Sequence, residues 1–317
     1  MRFGLFAGFC LIGTLCACGS DSNAAVQPIP LVDAGRAATD SAVVAPLCTA
    51  ASARLRVVAG NLTSGNGQSY NSGAGGRIFK ATAPDVALIQ EFNVGDNSEP
   101  VVRAFVQRYF GESYTYTRGT GDIPNGVISR FPIAEQGTWV DPEISNRTHA
   151  WAKIVLPGGK VLLAVSVHLK AGSATTTRFN EAQALNANLA QTPADYTVIG
   201  GDFNTESHSE RALTELGASV SVSGPYPADE SGNDNTSGNR TKPYDRVLPS
   251  ASLAALAVPA VLGNTTFASG AVFDTRVFSD IAAFAACGDD AVKATDSAEP
   301  NMQHMAVLRT FELRCRQ

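Results

Sequence analysis

Apolar residues along the chain fall into short runs separated by polar segments rich in glycine and proline. Leu55-Arg56-Val57-Val58-Ala59 is a first β-rich run, and Gly-rich sequence follows over residues 63–76. Val86-Ala87-Leu88-Ile89 is a second run, entered through Pro84-Asp85, and residues 126–128 and 161–167 read as further strands. Continuous apolar runs of this length between turn residues suit strands covered on both faces. Residues 178–189 carry helical spacing instead, with Phe179, Ala182, Leu185 and Leu189 on one side. Tyr196-Thr197-Val198-Ile199 is a buried-strand run closed by Gly200-Gly201. A polar Gly/Pro/Asn loop over 223–243 leads into Arg246-Val247-Leu248, and Met305 to Phe311 forms the last strand. From about residue 53 the pattern predicts one large α/β domain, with no internal repeat and no second linker.

The first residues follow a different pattern. Arg2 precedes an apolar stretch over residues 3–17, too short to cross a bilayer as a mature helix and typical of a secretory signal. Its end, Leu15-Cys16-Ala17-Cys18, resembles the lipobox of bacterial lipoproteins, with Cys16 at a place where a small residue is the rule. That resemblance implies cleavage before Cys18, lipid on Cys18, and an exported protein held at the outer membrane or cell surface. An ordinary cleaved signal, giving a periplasmic or secreted protein, stays open. The expected organisation is a signal peptide over 1–17, a flexible Ala/Ser/Asp/Pro tether over 18–47 and the folded domain over 48–317.

Composition narrows the classes. Charged residues make up 17% of the 317, below the roughly 25% usual for soluble domains, while the hydrophobic share is 44%. A disordered chain needs the opposite balance. The net charge of −5 and the absence of any Lys/Arg run argue against a broad basic face gripping nucleic acid by charge alone. A compact cleft that handles phosphate with a metal and a few side chains remains compatible. Past the signal and Cys18, three cysteines remain, Cys48, Cys287 and Cys315, for which one disulfide and one free thiol is the simplest account.

Polar residues stand where the predicted strands end: Asn61, Glu91, His168, Asp202 with Asn204, Asp245 and His304. Strand ends on one rim of a sheet sandwich can converge on one cleft. Oxygen ligands of this kind suit Mg²⁺, and histidines beside it suit proton transfer near neutral pH. Singly, each has a blander reading: Glu91 as a surface acid, His168 as a hydrogen-bonded core residue, Asp202 and Asn204 as turn residues. Their order and context carry the weight.

Those contexts resemble the endonuclease/exonuclease/phosphatase superfamily. The matching stretches are Arg56-Val57-Val58-Ala59-Gly60-Asn61-Leu62, Pro84-Asp85-Val86-Ala87-Leu88-Ile89-Gln90-Glu91, Val165-Ser166-Val167-His168, Gly201-Asp202-Phe203-Asn204 and Gln303-His304-Met305-Ala306-Val307. Tyr244-Asp245-Arg246, and Asn146-Arg147 followed by Ala150 and Lys153, are similar to pancreatic-type deoxyribonucleases in particular. The resemblance implies a four-layer α/β sandwich of two packed mixed β-sheets flanked by helices, and a monomer. It implies Glu91 on Mg²⁺ or Mn²⁺ with Asn61 nearby, His304 as base toward water, and Asp245 fixing the His304 tautomer. Asp202 and Asn204 would orient water and phosphate, His168 would assist at the phosphate or leaving oxygen, and Arg147 would grip a substrate phosphate.

One departure stands out. The superfamily usually has Ser-Asp-His before the last strand, and this chain has Met302-Gln303-His304. Gln303 keeps an oxygen donor near the metal but loses a charge, which is expected to weaken metal affinity or a second metal site. The expected activity is metal-dependent phosphodiester hydrolysis, with nucleic acid as substrate and Arg147, Arg130, Arg178, Lys170 and Lys242 as candidate phosphate contacts. Alternatives are a phospholipid or small phosphate-ester hydrolase, or a catalytically silent surface binding protein on the same scaffold. By the same resemblance, the loop over 229–235 is a candidate structural Ca²⁺ site. Antiparallel first and last strands would bring Cys48 to Cys315, with Cys287–Cys315 as the rival pairing.

Overall fold

The two apolar runs at either end of the domain pair with each other: Ser52 lies opposite Arg314 and Ala59 opposite Val307, antiparallel. The structure, a computed structural model, describes residues 52–314 apart from Asn66. In chain order the elements are β1 (Ser52–Gly60), α1 (Ala74–Thr82), β2 (Val86–Ile89), α2 (Glu99–Tyr109), β3 (Thr115–Arg118), β4 (Gly126–Ser129), β5 (Ile133–Val140), β6 (Thr148–Val155) and β7 (Val161–His168). There follow α3 (Thr175–Gln191), β8 (Tyr196–Asp202), α4 (Arg211–Leu216), β9 (Asp245–Pro249), α5 (Ala251–Ala254), β10 (Ala257–Val258), β11 (Ala260–Leu262), β12 (Thr265–Phe267), β13 (Ala271–Phe273) and β14 (Ala306–Arg314).

One sheet runs β10–β14–β1–β2–β4–β3, with β13 also on β14; the other runs β5–β6–β7–β8–β9, and β11–β12 is a separate hairpin. Both large sheets are mixed, because β1–β2 and β7–β8 are parallel. A parallel neighbour needs a crossover, which α1 and α3 supply. Strand period places the layers. On β7, Leu162 and Ala164 join the core between the sheets with Val57, Leu88 and Val198. Leu163, Val165 and Val167 point the other way, onto Ala182, Leu185 and Leu189 of α3 and Leu213 of α4. Helices α1 and α2 cover the opposite sheet with Ile78, Phe79, Phe105 and Val106. The result is the expected sandwich of two packed mixed sheets between helical layers.

Three local expectations change. The Gly-rich stretch ends in helix α1, where Gly76 is needed for close approach: a Cβ there would lie 2.5 Å from the Tyr109 ring. On α3 the fully buried positions include Arg178 and Glu181, whereas Phe179 is half-buried beneath the Arg211 guanidinium, 3.5 Å from its ring centre. Cys287 is disulfide-bonded, so it is not the spare thiol that a Cys48–Cys315 pairing leaves. Cys48 and Cys315, like Cys18, the signal and the tether, lie outside the described residues.

Candidate active site

Three neighbouring strands of the second sheet place a row of polar side chains at one rim. His168 closes β7 opposite Asp202, which closes β8 opposite Asp245, the first residue of β9. Gly201, the residue of β8 before Asp202, permits the close approach of β7: its φ is +139°, and a Cβ would meet the Val167 carbonyl oxygen at 2.1 Å. From the first sheet come Asn61 after β1, Glu91 after β2, and His304 two residues before β14. All six side chains are buried. Glu91 has φ +48° and Asn204 φ +51°, a region that costs a residue with a side chain on the order of 1–3 kcal/mol and recurs at functional sites.

Asp202 is the hub. Its Oδ2 lies 3.3 Å from His168 Nε2 and 3.4 Å from His304 Nε2, and its Oδ1 accepts the Asn204 amide at 2.9 Å. His304 Nδ1 is 2.8 Å from Asp245 Oδ2. Asn61 ties the two sheets together: its Nδ2 donates to Glu91 Oε1 at 2.9 Å and its amide to Asp245 Oδ1 at 3.3 Å. Thr63, which the sequence reading passed over, donates from Oγ1 toward Asn61 Oδ1 (3.1 Å) and Glu91 Oε2 (3.2 Å). Its signal was the two-residue spacing from Asn61, which puts both side chains on one face of extended chain. Asn204 Nδ2 donates to the Leu169 carbonyl at 3.0 Å.

Negative charge is in excess here. Burial, then Asp245, push the Asp202 carboxyl up to about 7 against the pull of His304. Burial alone would lower the His304 imidazole, but Asp245 and Asp202 outweigh it and raise it to about 10. His168 moves well below its ordinary value, through burial first and then the charges of Arg147 and His304. The group Asp202–Asp245–His304 is spaced closely enough to hold a metal ion. Glu91 and Asn61 add oxygen atoms beside it. Excess carboxylate and an oxygen-rich donor set fit a hard divalent cation.

Other expected residues sit differently. Arg147 is buried, and its guanidinium donates to the His168 carbonyl (2.6 Å), the Leu169 carbonyl (3.0 Å) and Asn146 Oδ1 (3.1 Å). Two of its five N–H groups thus brace the strand end that carries His168, and a third holds the neighbouring Asn146 side chain. Gln303 is exposed, unlike the buried acids and histidines, and its backbone carbonyl accepts the Gly238 amide at 2.6 Å. Arg130 pairs with Asp85 at 2.6 Å, at the end of β4 away from Glu91, and Arg178 is locked onto Glu210. Neither lines the cleft. Lys242 pairs with Glu206 at 2.5 Å, and Lys170 is exposed near the rim.

The 229–235 loop does not keep its acids open for Ca²⁺. Asp229 Oδ1 accepts from Ser231 and Asn233, and its Oδ2 pairs with Arg240 at 2.8 Å. Glu230 is tied to Thr265 and Ser279, and Asp234 to His208 at 3.0 Å. A guanidinium already occupies the place of a cation beside Asp229.

Fold and site together define a two-sheet α/β sandwich with a buried acid–histidine cluster at one rim. The chain belongs to the endonuclease/exonuclease/phosphatase family, whose sequence profile matches residues 70–280. Most members are phosphoesterase hydrolases that use a divalent metal, metal-dependent phosphodiesterases among them. Solved structures similar to the chain include an endonuclease/exonuclease/phosphatase from Bacteroides vulgatus, 14% identical, TM-score 0.55, covering 83% of this chain and 100% of that one. Another, from Beutenbergia cavernae, is 13% identical with TM-score 0.54, covering 82% and 72%. Truncated TDP2 from Caenorhabditis elegans is 15% identical with TM-score 0.53, covering 81% and 97%. At these identities the likeness concerns the fold. No curated protein sequence matches the chain.

Proposed function

We propose that the chain is a divalent-metal-dependent phosphodiesterase of nuclease type, hydrolysing nucleic acid by attack of water. The observation that carries this reading is Asp202 Oδ2, bracketed by the two imidazoles of His168 and His304 at 3.3 and 3.4 Å. Glu91, with Asn61 and Thr63 fixing its two oxygens, would hold Mg²⁺ or Mn²⁺. Bound there, the cation supplies charge neutralisation for the phosphate and for the surrounding carboxylates. His304 accepts the proton of the attacking water at Nε2, while Asp245 keeps the proton on Nδ1 and stabilises the ring once charged. A base must begin neutral, so the reading requires the charges of Asp202 and Glu91 to be offset in the working site. Asp202 and Asn204 orient water and phosphate. His168, neutral, is a hydrogen-bond donor at the phosphate.

Nucleic acid is favoured by Tyr244, half-buried with its ring centre 5.8 Å from that of His304, where a base or sugar can lie against it. The test offers plasmid DNA, RNA, sphingomyelin and a chromogenic phosphodiester with Mg²⁺, Mn²⁺ or Ca²⁺. Metal-dependent nicking of DNA abolished by chelator is expected. Cleavage of sphingomyelin without DNA overturns the nuclease reading, and no turnover of any substrate by folded protein overturns the enzymatic one. We further propose export with lipid on Cys18, residues 18–47 serving as tether. Replacing Cys18 by Ala should then move the protein from the membrane fraction to the soluble one.

A further inference from the structure

Beneath Glu91 and His168 a buried glutamine reaches from the first sheet to the second, and the proposed reaction leaves it unused. Gln90 follows β2 and Ser166 lies on β7; neither has any exposed surface. Gln90 Nε2 donates to Ser166 Oγ at 2.8 Å and to the Leu88 carbonyl at 3.0 Å, while Ser166 Oγ donates to the Ile89 carbonyl at 2.9 Å. Both amide N–H groups and the hydroxyl proton are thereby engaged. The same amide packs on Gly201 of β8, where a Cβ would lie 2.5 Å from Gln90 Nε2. The Gln90 carbonyl accepts the Tyr70 hydroxyl at 3.1 Å, and that oxygen accepts the Leu62 amide at 3.2 Å, which ties in the residue after Asn61.

Each partner lies one step below a residue of the site. Gln90 precedes Glu91 in sequence, and Ser166 shares a strand face with His168, two residues on. Above the bridge, His168 Nδ1 stands 4.0 Å from Glu91 Oε1, beyond hydrogen-bond reach, although it is buried and has no hydrogen-bond partner among the described residues. A buried imidazole nitrogen and a buried carboxylate oxygen left free to move would close that gap, because an unmet buried polar atom is costly. Stability does not account for the bridge. Gln90 Oε1 is buried with no protein donor among the described residues, a cost that an apolar side chain of the same shape would not carry.

We propose that the Gln90–Ser166 hydrogen bond is a spacer: it holds the strand ends of Glu91 and His168 apart, so that Glu91 Oε1 stays open toward the cation instead of being taken by His168. Gln90 and Ser166 are thus positioning residues that act through Glu91. Asn61 and Thr63 fix the two Glu91 oxygens from the β1 side, and the spacer fixes them against the second sheet. The role toward the cation rests on the phosphodiesterase reading; the spacing does not.

The experiment uses the mature chain as wild type, Gln90→Met, Ser166→Ala and the double variant. Crystal structures of the metal-free proteins should keep the 4.0 Å separation in wild type and show it closed to about 3 Å in Gln90→Met. Calorimetry without substrate should show Mg²⁺ or Mn²⁺ bound about tenfold more weakly by each single variant. The double variant should bind no more than about threefold more weakly than either single one, because both changes remove the same interaction. The urea midpoint of Gln90→Met should be unchanged or higher, since the swap conserves volume and removes an unmet acceptor. A separation retained in both Gln90→Met and Ser166→Ala overturns the spacer. Closure without loss of cation affinity overturns its role toward the cation. Additive losses in the double variant, or a lower urea midpoint in Gln90→Met, would make these two packing residues and overturn that role as well. If wild type binds neither cation, the metal-dependent reading fails, and the crystal structures still decide the spacer.

Discussion

His304 Nδ1 lies 2.8 Å from Asp245 Oδ2, with both side chains buried, so the imidazole is fixed in one tautomer with Nε2 turned toward Asp202. Asp245 and Asp202 together outweigh burial and hold the ring up at about 10. In Asp245→Asn one of those two supports is gone and the hydrogen bond no longer selects the tautomer. The His304 titration, followed by its ring resonances, should drop by more than one unit, and turnover should fall at least about a hundredfold, as for loss of an oriented general base. His304→Ala should lose at least as much. Full activity in His304→Ala would falsify its role as base.

Metal dependence separates Glu91 from Gln303. Glu91 is buried, and both of its oxygens are held by neighbours, so Glu91→Gln should raise the half-saturating Mg²⁺ concentration at least about tenfold. Gln303 is exposed, so the charge added in Gln303→Asp is screened by water and salt. Its half-saturation should shift by no more than about threefold. Activity titrated against Mg²⁺ for the three proteins checks both. A tenfold tightening in Gln303→Asp would return that residue to the metal.

Which parts were legible follows from the kind of signal each carried. Buried strands such as β2, β7 and β8 are continuous apolar runs, and their polar last residues stood out against them, so His168 and Asp202 were found from sequence. Edge strand β5 could not be read that way: Ile133–Val140 is mostly half-exposed or exposed and carries Glu135, Gln136 and Gly137. Buried charge defeats periodicity more deeply. On α3, helical spacing selected Phe179, yet Arg178 and Glu181 are inside because their charges meet partners from other elements, Glu210 and the Lys170 amide. Pairing across distant sequence cannot be seen in a window. Arg147 shows the same limit: the motif marked the residue, but only the fold shows its guanidinium bracing carbonyls.

The Arg178–Glu210 pair should be costly to break. Arg178 has no exposed surface, and it donates to both Glu210 oxygens (2.5 and 3.1 Å) and to the Lys170 and Gly172 carbonyls. Arg178→Met keeps the apolar stem but leaves a buried carboxylate and two carbonyls without their donor. Urea unfolding should show a loss of about 3–5 kcal/mol. Adding Glu210→Gln should recover part of it, because the stranded charge is then gone.

Stability against pH should reveal Glu181 in metal-free protein. The group is raised from 4.5 to about 8, so across that interval the folded protein keeps a proton that the unfolded chain has released. Its contribution is present below about 4.5 and lost as pH rises through 8. His149 has the opposite sense: lowered from 6.5 to about 4, its contribution is present above 6.5 and lost as pH falls through 4. Between pH 6.5 and 8, His149 is therefore silent. His304, raised from 6.5 to about 10, adds a decline in that window, and Asp202 adds one up to about 7. Wild-type stability should thus fall from pH 6.5 to 8. Glu181→Gln should fall less steeply, by at most about 1.4 kcal/mol per pH unit, the value of one proton. The difference between the two proteins isolates Glu181, since His304 and Asp202 are common to both. Parallel curves over that window would mean that Glu181 is already ionised in the folded protein, and that Arg147 and the Lys170 amide outweigh its burial.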